Sequence, residues 1–153
     1  MLLNELMKDY LRDITPNESD EHIDPMWTSF TLWDDCVLLQ GNLANVKLPS
    51  SFNETHFYDR TSFEADINHI HLNAFFKQDA QPVIVLRSAL TLLDKWERQL
   101  KKDYPHRNFH LLLSFDGVEV VLRFYCLREL EHPWVDIENL ENYKEEGILV
   151  KII

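Results

Sequence analysis

The sequence predicts an α+β fold in which an antiparallel β-sheet built from hairpins carries helices packed on one face. Three stretches lead there. In NFHLLLSFDGVEVVLRFYC, residues 108–126, apolar side chains alternate on both sides of Asp116-Gly117, the residue types that a tight hairpin turn with positive φ requires. In PVIVLRSALTLLDKWERQLKK, residues 82–102, apolar residues return at helical spacing. GILVKII, residues 147–153, closes the chain as a β-branched strand. Strands clustered in hairpins, with helices segregated from them, form a different pattern from the alternation of an α/β protein. A chain of 153 residues with 45% hydrophobic content can bury roughly 70% of its unfolded surface, so one domain over residues 1–153 is expected.

Taken in order, a first helix from about Leu2 to Asp13 places Leu3, Leu6, Met7 and Tyr10 on one side, and TPNESDEHIDP follows as a polar connection. DCVLLQGNLANVKL folds as a hairpin about Gly41-Asn42, setting Val37 opposite Val46 and Leu39 opposite Ala44. FEADINHIHL reads as a strand with a bulge, with a helical reading through Phe63, Ile67, Ile70 and Ala74 left open. The helix from Pro82 buries Leu86, Ala89, Leu93, Trp96 and Leu100, with Asp79 as a candidate cap and Asp94–Arg98 and Glu97–Lys101 as side-chain pairs. A two-residue turn at Asp116-Gly117 pairs Phe115 with Val118, Leu113 with Val120, Leu111 with Leu122 and Phe109 with Phe124 on a core face that includes Cys126. The opposite face pairs His110 with Arg123 and is expected to be partly open. A short helical turn around Asp136 to Tyr143 precedes the last strand.

The formal charge of -11 sets the protein against nucleic acid and anionic membranes as direct partners, because both repel an acidic surface. The acids are concentrated at the two ends of the chain. Nine lie in residues 1–35 against Lys8 and Arg12, and seven in residues 129–146 against Lys144 alone. The acidic N-terminus lacks the pattern of a signal peptide, and no apolar run is long enough to span a bilayer, so a soluble, cytoplasmic protein is expected. Cys36 and Cys126 are expected as reduced core residues.

Catalytic signatures are missing: no glycine-rich phosphate loop, no GxSxG turn and no local cysteine motif occurs. His69 and His71 would share one side of a regular strand, as two ligands of one metal must. The familiar continuations fail at Asn73, Ala74, Phe75 and Phe76, leaving a zinc site completed from His106 or His110 as the alternative to polar residues at a sheet margin. His110 and Arg123, with Glu119 and Tyr125 nearby, could bind a phosphate or shuttle a proton. The expectation is no bound metal, no cofactor and no catalytic residue.

A different signal comes from RFYCLREL and HPWVDIENLENYKEEGILV, where aromatic residues alternate with acids, and from WTSFTLWDD. Aromatic side chains anchor interfaces, and carboxylates steer a cationic partner. The candidate partner-binding residues are Trp33, Asp34, Asp35, Glu129, Glu131, Trp134, Asp136, Glu138, Glu141 and Glu145. Small size, acidity, the α+β layout and this C-terminal character resemble the immunity proteins of bacterial polymorphic-toxin and contact-dependent growth inhibition systems. The resemblance covers about the last third of the chain. It implies a non-enzymatic cytoplasmic protein that neutralises a cognate toxin domain, often a nuclease with a basic cleft, by placing carboxylates where substrate phosphates would lie. The competing classes are a small histidine-dependent metal hydrolase or phosphodiesterase and a structural subunit of a larger complex.

Overall fold

The computed structural model describes residues 1–14 and 23–153. Its strands are β1 (Leu2–Leu3), β2 (Phe30–Trp33), β3 (Cys36–Leu39), β4 (His69–His71), β5 (Phe109–Phe115), β6 (Val120–Cys126) and β7 (Gly147–Ile152). Its helices are α1 (Glu5–Leu11), α2 (Arg60–Ile67) and α3 (Pro82–Asp103). Five strands form an antiparallel sheet in the order β1-β7-β5-β6-β4, and β2 pairs with β3 in a second sheet, so the fold is α+β. The polar connection expected after the first helix lies, over residues 15–22, outside the described residues. No helix among the described residues is long and apolar enough to cross a membrane.

The main core forms where α3 crosses one face of the large sheet. Leu86, Leu93, Trp96 and Leu100 pack there against Leu111, Leu113, Leu122 and Phe124, and the whole stripe expected for this helix is buried. Trp96 also donates its indole N–H to the Trp27 carbonyl at 2.7 Å, which satisfies its one polar atom inside the core. Asp79 does not cap the helix; Gln81 occupies that position without a side-chain bond, and Pro82 supplies the fixed φ of the first turn. Glu97 pairs with Lys101 as expected, whereas Asp94 reaches Lys151 of β7 instead of Arg98.

The β5–β6 hairpin forms with a register two residues from the expected one: Leu113 faces Leu122, Leu111 faces Phe124 and Phe109 faces Cys126. The connection spans four residues, because the Asp116 carboxylate accepts the amides of Val118 at 2.9 Å and Glu119 at 2.7 Å and holds them out of the ladder. Gly117 has φ +100, the left-handed conformation for which glycine is suited. A slip of two residues keeps the strand side chains on their own faces, so the core assignment survives except at Val118, which falls in the turn and is 68% exposed.

Three further departures have identifiable causes. The first helix starts at Glu5, because Asn4 is its N-cap: the Asn4 side chain accepts the Met7 amide at 3.0 Å and the Ile148 amide at 2.8 Å and donates to two carbonyls of the C-terminal segment. The Gly41-Asn42 hairpin does not form. Asp34 and Asp35 take the positive φ values of 44° and 64° and turn β2 into β3, while residues 40–43 form a 3-10 turn. Gly41 is instead a point of close approach, since a Cβ there would lie 2.5 Å from the Trp27 ring. FEADINHIHL resolves into the end of α2 and then β4, with no bulge; Asp59 caps the helix through the Ser62 amide at 2.8 Å.

The second face of the large sheet is covered at the end that holds His110 and partly open at the other, where Ser114, Val121 and Arg123 keep some exposure. Val135 and Leu140 of the segment 127–146 pack on Leu112, Tyr125, Ile148 and Val150, joined by Ala65 of α2. His110 is therefore only 2% exposed, and its cross-strand partner is Tyr125, whose hydroxyl lies 2.8 Å from Nδ1. The expected His110–Arg123 pair is not made, and with it goes the surface that would bind a phosphate through both.

Candidate functional site

Arg123, His69 and Asn42 converge on the C-terminal end of α2, where the last helical carbonyls have no partners within the helix. Arg123 donates to the Ala65 carbonyl, His69 Nδ1 meets the Asp66 carbonyl at 2.5 Å, and Asn42 donates to the Ile67 carbonyl at 2.7 Å. The cation at this end also complements the helix dipole. Arg123 and His69 can share the task because they face one another across β6 and β4. His71, two residues on, sits beside Val121 and engages Glu119 with Nδ1 at 2.6 Å. The opening between polar strand residue and metal ligand thus resolves first into structural roles for both Nδ1 atoms.

Around this edge lies a cavity of about 240 Å³, lined by His69, His71, Arg123, Trp134, Tyr143 and Glu146. The Arg123 guanidinium stacks 4.1 Å from the centre of the Trp134 ring, a cation–π contact between the sheet and the C-terminal segment. Nothing in the spacing of residues 123 and 134 announces this pairing, nor the grouping of Arg123 with the two histidines. Both arise from strand register. Among the described residues no group of three or more His, Cys, Asp or Glu is placed to hold a metal ion. A second cavity of about 460 Å³, more apolar, lies between Trp27, Phe75 and Leu92.

The expected partner-binding residues separate into two sets. Trp33 packs on Phe63, with ring centres 5.3 Å apart. The Asp34 carboxylate accepts the Phe52 amide at 2.6 Å and pairs with Arg60, and Asp35 pairs with Arg107 at 2.6 Å, while its carbonyl accepts from Arg128. The hydrogen bond from Arg107 holds the Asp35 carboxyl below its ordinary pKa. Glu131 accepts the Thr61 amide at 2.8 Å and lies beside Arg128, and Glu141 accepts the Glu5 amide at 2.9 Å. Asp136 folds its own loop by accepting from Glu138 and Asn139.

Glu129, Glu138 and Glu145 are different: all three are exposed, and among the described residues their carboxylates have neither a cation within 4 Å nor a hydrogen-bond donor. Large apolar side chains are exposed in the same segment and just before the start of α2. Leu130 is 97% exposed and Trp134 47%, and Tyr58, also 97% exposed, lies three residues before the Thr61 amide that binds Glu131.

One charged cluster escaped the sequence reading. Glu64 is wholly buried; its Oε2 accepts the Val37 amide at 2.7 Å, and its Oε1 accepts the Cys126 amide at 3.0 Å and Arg128 at 2.5 Å. Burial pushes the Glu64 carboxyl up in pKa, against the downward pull of Arg128 and the two amides. Asn68, also buried, binds the Leu39 amide and the Val37 carbonyl, so these two side chains serve the free edge of β3 in place of another strand. The nearby thiols are inert. Burial pushes Cys36 up to about 12 and raises Cys126 as well, which keeps both protonated.

The chain belongs to the uncharacterized protein PM0498 family, whose model matches residues 2–152. No curated protein matches it. No solved structure matches it either.

Proposed function

We propose that this protein is a non-enzymatic binding protein of the immunity type, which neutralises a cognate toxin domain in the cytoplasm by docking its segment 129–146 against a basic surface. The observation that carries this reading is the set of unpaired carboxylates of Glu129, Glu138 and Glu145 in the same segment as the exposed Leu130 and Trp134. Asp35 and Glu64 are neutralised within the fold, whereas acids left without partners are available to an external cation. Exposed carboxylates in water contribute speed and selectivity of association, and the apolar groups among them supply the buried anchors. Leu130 and Tyr58 belong to the same surface, because the turn that carries Leu130 is tied to the start of α2 through Glu131 and Thr61.

Coexpression with candidate toxin domains, beginning with any found encoded next to this chain, tests the reading. The expected result is cell survival and a complex that copurifies, with both lost when Glu129→Lys and Glu145→Lys are combined in a protein that still folds. Survival and binding unchanged in that variant would contradict it. Asp136→Lys is the poorer probe, because its carboxylate also holds the local turn.

A further inference from the structure

The histidine pair on β4 has a second half that the helix end and the hairpin do not use. The group facing His69 Nδ1 is the Asp66 carbonyl, which can only accept, so Nδ1 carries the proton. The group facing His71 Nδ1 is the Glu119 carboxylate, which likewise accepts. In a neutral imidazole the other nitrogen is then a lone-pair donor, and Nε2 of neither ring has a hydrogen-bond partner among the described residues. The two rings lie on the same side of a regular strand, with centroids 5.2 Å apart, and both line the 240 Å³ cavity. A carbonyl or carboxylate on Nδ1 is the arrangement that fixes the tautomer and raises the basicity of a metal-ligating histidine.

We propose that His69 and His71 bind a divalent first-row transition ion, such as Zn²⁺, Ni²⁺ or Cu²⁺, through their Nε2 atoms, with water in the remaining positions. Imidazole is a suitable ligand for these ions, and hard Mg²⁺ or Ca²⁺ would not choose it. The expectation of no metal here rested on a missing third protein ligand, which a two-ligand site does not need. The local charge favours a cation: Glu119 stands behind one ring, and Glu146 lines the same cavity. Arg123 opposes it, but its guanidinium is tied to the Ala65 carbonyl and to the face of Trp134.

Titration of the full chain with Co²⁺, Ni²⁺ and Cu²⁺ alone, followed by calorimetry and by Co²⁺ absorption, tests the site. One equivalent is expected, with affinity rising from Co²⁺ through Ni²⁺ to Cu²⁺. His71→Ala, at a half-exposed side chain, should abolish it without unfolding the protein, as should His69→Ala. Glu119→Gln, which alters only the support of His71, should weaken binding by about 10-fold or more. No saturable binding up to millimolar metal would overturn the proposal. So would binding that survives in both alanine variants, which would locate it at another histidine. Either failure leaves the docking reading untouched, since the toxin assay does not depend on metal.

Discussion

Two regions of this protein look alike in sequence and are opposites in structure. WTSFTLWDD and ELEHPWVDIENLENYKEE both combine tryptophan with carboxylates. In the first, Asp34 and Asp35 form a left-handed turn whose carboxylates are taken by Arg60, Arg107 and the Phe52 amide, and Trp33 leans on Phe63. In the second, Glu129, Glu138 and Glu145 face water without a cation, in the same segment as the exposed Leu130 and Trp134. A run of acids therefore says little until its partners are known, and those of Asp35 lie 72 and 93 residues away along the chain. The carboxylates of the first region are paired within the molecule, and three of the second are not.

The comparison breaks most severely at Arg128, which touches both regions: it donates to the Asp35 carbonyl at 2.8 Å, binds Glu64 and lies 3.9 Å from Glu131. Arg128→Ala leaves the Glu64 carboxylate buried with only two amide donors, and should cost about 3–5 kcal/mol in urea denaturation. A loss below about 1 kcal/mol would mean that Glu64 is held by the amides of Val37 and Cys126 alone. On the apolar side of the sheet, Leu113→Ala should cost roughly 2–5 kcal/mol by opening a cavity.

His110 sharpens the view that the segment 127–146 covers its end of the second face. Burial holds its imidazole pKa below the ordinary value of about 6.5. The unfolded chain takes up a proton that the folded one resists, so stability should be complete above about pH 6.5 and decline as pH falls below it. His110→Phe should flatten that slope; an unchanged slope would assign it to other groups.

A smaller effect is expected at Asp35. Its carboxyl is lowered by the Arg107 hydrogen bond, so its contribution should be present above the unfolded value of about 3.9 and disappear as pH falls through the lower folded value. Because the side chain is more than half exposed, solvent screening limits Asp35→Asn at pH 7 to less than about 1 kcal/mol. Denaturation at pH 7 and pH 3 should show this difference shrinking in acid.

How much of this was legible follows from where each signal resides. The stripe of α3 and the core face of β5 and β6 depend on spacing within one element, and spacing is written locally. The hairpin register was not, because an Asx turn at Asp116 and a two-residue turn share the same Asp-Gly signature. Gly41-Asn42 misled for a tertiary reason: the Trp27 ring occupies the space over Gly41. Of the candidate site, the acids and Trp134 were visible, but their division into paired and unpaired sets was not, since pairing depends on distant arginines. Leu130 and Tyr58 went unnoticed because exposure of a single apolar residue has no sequence pattern.

The central claim is that the unpaired acids of 129–146 meet a basic partner, and the association rate with the toxin domain identified by coexpression tests it most directly. Stopped-flow measurements on the wild type and on Glu129→Lys with Glu145→Lys should show a fast, salt-sensitive rate in the first and a slow one in the second. Stability should differ by no more than about 0.5 kcal/mol, because exposed carboxylates contribute little to folding. Equal rates with equal salt dependence in two folded proteins would contradict the account.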